Sequence, residues 1–381
     1  MAGTVRKRVR SNSKGETRIT WFADYYDQHG TRHRRFFDNK AAADKWLTTT
    51  RSEVQAGIHT PDAKSITVKE AAQRWLRART EDGLERGSLR VYGQYVRLYI
   101  VPHIGAVKLS RLTALNVKEF RNSLLKKTSW QRTRKVVSAL RLILAEAQSD
   151  TLVSQNVALA IEVKRPRTSL RSERDLEVGV DVPTPAEVQA MLQHATGRDR
   201  VRLILATFTG IRTSEMRGLY WSDIDFAGGN LQVRRRADWW GTLGPPKSQN
   251  GHRTIPAIPL VLNALREWRM ASPADNSKLV FLGRYGGVMS HTSVDDGFDR
   301  VQRAAGIVGS DGKAKYAPHK LRHFFASWMI DQGAGRKELQ ELMGHDQSTR
   351  TEDLYGHWFR DDDKLRSRMA AAAAVFGTHL R

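Results

Sequence analysis

The stretch APHKLRHFFASWM, Ala317 to Met329, decides how the C-terminal half of the chain is read. Pro318 can open a helix, because the N–H it lacks would have no partner in a first turn. On that helix His319 and Arg322 share a face at i,i+3. Phe324, Phe325, Trp328 and Met329 supply the apolar side. A histidine and an arginine on the polar side of a buried helix can grip an anion. The polar face of an ordinary surface helix would carry the same pair, and this stretch alone leaves both readings standing.

Three more segments belong to the same half. In TGIRTSEMRGLYWSDID (209–225), Arg212 follows an apolar run and a glycine at the mouth of a new helix. Glu215 lies one turn later, able to orient it, although an i,i+3 helix pair accounts for the two residues equally simply. In PPKSQNGHRTIP (245–256), Lys247 falls in a Gly/Pro-rich loop between two β-like stretches, LQVRRR and HRTIPAI. It is the only lysine between Lys164 and Lys278, yet a single loop lysine needs no function. In LMGHDQSTRTEDLYGHW (342–358), His345 follows Gly344 and Tyr355 comes ten residues after His345. By itself Tyr355 reads as a packed aromatic.

Together the four segments resemble the tyrosine recombinase (phage integrase) family, in order and in local wording. TGIRTSEMRGLYWSDID looks like its first arginine box, HKLRHFFASWM like its HxLRH box, and LMGHDQSTRTEDLYGHW like its LGH…Y box. The resemblance covers about residues 183–381. A joint match of four boxes is specific where any one is weak. It implies that the Tyr355 hydroxyl attacks a scissile phosphodiester, giving a 3′-phosphotyrosyl enzyme and a free 5′-hydroxyl. Arg212 and Arg322, planar multidentate cations, suit the charge on the nonbridging oxygens. Lys247 is expected to protonate the leaving 5′ oxygen. His319 is expected to move a proton or hydrogen-bond the phosphate. His345 serves as a further phosphate ligand, and Glu215 supports the arginines. No cofactor or metal is expected, since His345 and His357 have no Cys or carboxylate cluster to complete a site. Two features depart from the family wording: the loop ADWWGTLGPP before Lys247 is long, and Asp346 stands where a small polar residue is common.

Charge points the same way. The chain of 381 residues carries a net +23, and residues 1–180 hold 35 Lys+Arg against 18 Asp+Glu. A folded chain this basic and this lopsided meets a polyanion, nucleic acid first. Solubility alone needs less charge. An anionic membrane surface fits worse, without a basic amphipathic helix bearing a bulky apolar face. No apolar run approaches the roughly 20 residues of a membrane helix. The basic N-terminus MAGTVRKRVR has no apolar stretch after it and does not read as a secretory signal. The absence of cysteine rules out disulfides and thiolate metal sites and fits a reducing compartment.

The expected fold class is multidomain and mainly α. Residues 1–60 read as a small β-sheet plus helix: strand Thr17–Tyr26, a turn through Gly30, strand Thr31–Phe37, then the helical AAADKWLTTTRSEVQAG. Arg32, Arg34 and Arg35 crowd the second strand, which could present a face to a DNA groove or merely solvated side chains. Residues 66–160 read as an all-α domain with Thr67 as a cap. Its helices cover Ser88 to Ile100, ending near Pro102 and Gly105, then about Leu115 to Lys127, then Ser129 to Gln148. Residues 161–182 read as a linker. Residues 183–381 read as a mixed α+β catalytic domain, opening at Thr184-Pro185 with Glu187 completing a cap. An alanine-rich tail helix is expected in DKLRSRMAAAAAVFGTHL, docked on its own domain or a neighbouring protomer.

By the resemblance, residues 66–160 are a core-binding domain and residues 1–60 an arm-type DNA-binding domain. The implied partners are duplex DNA with core and arm attachment sites, a homotetramer formed on that DNA, a directionality factor and a host DNA-bending protein. The implied location is the nucleoid of a bacterial cytoplasm. The expected function is site-specific recombination for a phage or other mobile element. Two rivals remain: a type IB topoisomerase-like nicking and rejoining enzyme, and a noncatalytic DNA-binding regulator on the same fold.

Overall fold

The structure is a computed structural model. It describes residues 3–11, 17–27, 30–57, 59, 61–62, 65–166, 176–247, 249–272 and 278–344. His345, Tyr355 and the tail helix expected after them lie outside these residues. The chain divides into two compact units, Met1–Ser172 and Glu173–Arg381.

The first unit opens with a three-stranded antiparallel sheet, β1 (Thr4–Ser11), β2 (Thr17–Tyr26) and β3 (Arg32–Phe37), in that order. The β2–β3 hairpin follows the expected alternation. Gly30 takes φ +78°, and Asp27 accepts the Thr31 N–H on its side chain at 2.8 Å. Strand β1 is an addition: TVRKRVRS pairs along β2 from Thr4 opposite Asp24 to Ser11 opposite Thr17. Its period of two is hidden under four basic residues, which read as a charge run. Side chains alternate across a sheet. One face, with Ala23, Tyr25 and Phe37, packs on Leu47, Trp46 and Val54 of the helix Lys40–Gln55. The other carries Arg6, Arg8 and Arg10 from β1, Arg18 from β2, and Arg32 and Arg34 from β3. The three arginines of β3 therefore divide. Arg32 and Arg34 share the open face, both paired with Asp24. Arg35 points to the helix side, its guanidinium 5.0 Å from the Trp46 ring centre.

The other named elements of this unit are helices. Thr67 and Glu70 form a reciprocal capping box ahead of Val68–Glu81, and Ser129 caps Trp130–Ser149. The helix expected to end near Pro102 and Gly105 does so: Arg86–Tyr95 runs through a wide π turn, Val96–Ile100, into Val101–Ile104, which is capped at Gly105. Proline lacks an N–H and its ring crowds the carbonyl four residues back, and a widened turn relieves both problems. Trp75, Ile100, Phe120, Leu140 and Ile143 lie in the shared core.

In the second unit, Thr184 and Glu187 make the expected capping box on Pro185–His194. A three-stranded sheet has the order β4 (Ile224–Asp225), β5 (Asn230–Val233), β8 (Arg253–Pro256), with Leu231 opposite Ile255 and Val233 opposite Arg253. The long loop between β5 and β8 holds its own ribbon, β6 (Arg236–Ala237) with β7 (Leu243–Gly244). Leu205, Leu231, Ile255, Leu265 and Phe281 bury the sheet against helices Gly197–Thr209 and Pro259–Ala271. The fold is mainly α with small sheets, as the sequence implies.

Candidate active site

Two helices end at one place in the second unit, and both end on glycine. Helix Gly197–Thr209 closes at Gly210 with φ +60°, and helix Arg336–Met343 closes at Gly344 with φ +57°. A β-carbon at Gly210 would run into the Phe325 ring, and one at Gly344 would come within 2.8 Å of the Asn250 carbonyl oxygen. Left-handed caps with no room for a side chain require glycine.

A helix C-terminus leaves carbonyls without partners in the helix and concentrates negative partial charge. Two arginines answer both ends here. Arg322, on helix Lys320–Asp331, donates from Nη1 to the Gly210 carbonyl and from Nη2 to the Met343 carbonyl. Arg212 donates from Nη2 to the Gly344 carbonyl at 2.8 Å. The two guanidinium groups expected to hold a phosphate are thus brought together by the ends of the same two helices.

Glu215 lies beneath them. It is the third residue of the short helix Thr213–Arg217 and is 2% exposed. Its Oε1 accepts from Arg212 Nη1 at 2.6 Å and its Oε2 from the Arg212 backbone N–H at 3.0 Å. The i,i+3 pair read from the sequence is present. The same carboxylate accepts from Arg253 of β8, at 2.8 Å from Nη2 and 3.2 Å from Nη1. Burial pushes the Glu215 carboxyl up. The Arg253 hydrogen bonds and the charges of Arg253, Arg212 and Arg322 outweigh it and bring the group down to about 2. Glu215 therefore stays ionised at any working pH.

His319 heads the helix that carries Arg322, and its ring meets that of His323 edge-on at 5.8 Å. Burial, with Lys320 beside it, lowers the His319 pKa against a smaller opposing effect of Asp295. Burial, then Lys320, His319 and Arg322, brings His323 down to about 4. Both imidazoles are neutral near pH 7, the form that can take a proton. Lys247 is exposed, three residues beyond β7 and six before Arg253. Among the described residues no group of three or more His, Asp or Glu forms a metal-binding cluster, and no helix is long and apolar enough to cross a membrane.

These shifts set a direction for acid stability. His323 titrates lower folded than its ordinary 6.5, so its contribution is complete above about pH 6.5 and is lost as pH falls through about 4. Glu215, lowered from 4.5, contributes above about pH 4.5 and loses that contribution as pH falls through about 2. The expected melting temperature declines from near-neutral pH downward in two stages, read by thermal unfolding from about pH 8 to about pH 3. A flat profile across the upper stage would remove the His323 assignment.

Comparison with known proteins gives the family. Residues 182–360 match the phage integrase family, and residues 67–125 match the SAM-like N-terminal domain of phage integrases. The chain is 30% identical over 289 residues to the tyrosine recombinase XerC of Xylella fastidiosa (strain 9a5c), spanning 75% of this chain and 88% of that protein. Its fold resembles the Tn1549 transposon integrase in complex with transposon right end DNA, at TM-score 0.64 and 23% identity over 81% of this chain and 100% of that one. It also resembles a lambda integrase tetramer bound to a Holliday junction, at TM-score 0.58 and 18% identity over 90% and 96% of the two chains. The protein belongs to the phage integrase family of tyrosine recombinases, enzymes that cleave and rejoin DNA strands.

Sequence reasoning missed Arg253. Nothing local marks it among 63 lysines and arginines. Its place is set by the pairing of β5 with β8 and by a carboxylate 38 residues away.

Proposed function

We propose that the protein is a site-specific recombinase of a phage or other mobile element, working as a tetramer on core and arm DNA sites. One observation carries the chemistry: Arg212 and Arg322 converge on the carbonyls around Gly210 and Gly344, one residue ahead of His345. Tyr355 Oη bonds to phosphorus as the bond from phosphorus to the 5′ oxygen breaks. Lys247 gives its proton to that oxygen, and neutral His319 takes the tyrosine proton or hydrogen-bonds the phosphate. Arg212 and Arg322, with His345, hold the charge that gathers on the nonbridging oxygens. Glu215 keeps the arginines in place. The phosphotyrosyl bond preserves the energy of the phosphodiester for rejoining, so exchange needs no nucleotide.

The open face of the N-terminal sheet favours an integrase with a separate arm site over a chromosome-dimer resolvase, which usually lacks such a domain. Six arginines cover that face, with Phe22 and Phe36 between them, their rings 5.8 Å apart. Arg34 lies 4.5 Å from the centre of the Phe22 ring. Strands can enter a major groove this way. Replacing Arg6, Arg8 and Arg10 together with alanine is expected to weaken arm-DNA binding. The slope of log affinity against log salt should flatten by roughly 0.9 for each phosphate that is no longer neutralised. An unchanged slope would take β1 out of the interface.

The functional test uses the full chain on a duplex nicked near its attachment site. The expected product is a denaturation-resistant adduct joined at the 3′ phosphate, with a free 5′-hydroxyl. A 5′ linkage or simple hydrolysis would overturn the mechanism. Turnover that requires two matching sites separates a recombinase from a topoisomerase-like enzyme. Binding without an adduct leaves a regulator.

A further inference from the structure

We propose that Arg253 is a positioning residue for strand cleavage: it holds Glu215, and through it Arg212, and ties the strand after Lys247 to the helix end before His345. The proposal rests on the recombinase reading, in which Arg212 holds the scissile phosphate.

Arg253 is the first residue of β8 and its side chain is 6% exposed. Its two Nη atoms meet the two oxygens of Glu215, a fork-to-fork pair that fixes orientation as well as distance. Its Nε donates to the Leu342 carbonyl at 2.8 Å, within the last turn of helix Arg336–Met343. A β-carbon on Gly344 would lie 3.0 Å from Arg253 Nη1, so the chain leaving that helix runs close against this guanidinium. Arg253 thus touches the first arginine box through Glu215, the histidine–tyrosine segment through Leu342, and the Lys247 segment through its own backbone.

Charge makes the arrangement more than a strut. Glu215 bonds both Arg212 and Arg253. With both arginines present, one carboxylate leaves a net positive charge beside Arg322, and a phosphate finds a cationic site. Without Arg253 the carboxylate would neutralise Arg212, and the phosphate would meet a weakened field. Among the described residues, the buried carboxylate would then face Arg212, at the head of its own helix, and Arg322, from helix Lys320–Asp331. Burial already pushes it upward and Arg253 is the foremost group holding it down. Removing Arg253 lets Glu215 take up a proton as pH falls, and a protonated Glu215 no longer anchors Arg212.

The test measures the rate of adduct formation on the nicked duplex across pH, using the full chain at saturating DNA. Arg253→Met is expected to be about 10²-fold slower than wild type near neutral pH. Its rate should fall further with acid, by about tenfold per pH unit below the new Glu215 ionisation. Adding Glu215→Gln to Arg253→Met should remove that acid limb. Arg253→Lys keeps the charge without the fork and should recover about a tenfold share; it carries the test if the methionine variant does not fold. Rates equal to wild type, or slowed equally at every pH and unaffected by lysine, would overturn the proposal and leave Arg253 a structural strut. A wild-type chain that binds DNA but forms no adduct would instead overturn the recombinase reading itself, and the proposal with it.

Discussion

Tyr355→Phe is expected to bind duplex DNA as the wild-type chain does and to form no covalent adduct, a loss of more than about 10⁴-fold in cleavage. Phenylalanine keeps the ring and removes only the hydroxyl. In the proposed mechanism the remaining site still holds a phosphate, because the carbonyls of Gly210, Met343 and Gly344 hold Arg322 and Arg212. The expectation is sharp because the chain offers no substitute nearby. Tyr355 is the only tyrosine after Tyr316. Tyr316 is 3% exposed and donates its hydroxyl to Glu187 at 2.9 Å. Burial raises its pKa, which makes it a poor nucleophile. Gel mobility of the denatured protein–DNA mixture reads the result. An adduct that persists in the phenylalanine variant would place the nucleophile elsewhere.

What is legible in the sequence is local. Capping boxes at Thr67 and Thr184 are written within four residues, and both stand in the structure. The β2–β3 hairpin is likewise written in its alternation and in Gly30. The boxes around Arg212 and Arg322 work for a related reason. Each encodes a helix end as well as a side chain: Gly210 stops one helix two residues before Arg212, and Pro318 precedes another that carries Arg322. What stays hidden depends on partners far along the chain. The loop before Lys247 is long because a whole ribbon, β6 with β7, is folded into it. Arg35 resembles Arg32 and Arg34 in sequence, and only the helix covering one face of the sheet separates them. Arg253 is invisible because its meaning lies in a strand register and a shared carboxylate. Glu215 reads locally as the partner of one arginine, and it is the partner of two.

Arg322→Ala is expected to cut the rate of adduct formation by about 10²–10³-fold while DNA binding holds. Two physical roles meet in this guanidinium, and they can be separated. The first is to join the helix ends at Gly210 and Met343, whose carbonyls it takes with different Nη atoms. The second, in the proposed mechanism, is to present positive charge where the phosphate gathers negative charge. Arg322→Lys distinguishes them. An ammonium is a point donor on a flexible stem and cannot reproduce a rigid two-nitrogen bridge. If the charge alone mattered, lysine would restore most of the rate. If orientation matters, lysine restores less than about tenfold, even with the cation present. The bridge argues for orientation, because the carbonyls that hold Arg322 also define the direction its remaining donors can face. Lysine should therefore stay slow at saturating DNA, with the deficit in the cleavage rate and not in affinity. A lysine variant that cleaves at the wild-type rate would show that the bridge serves the fold alone.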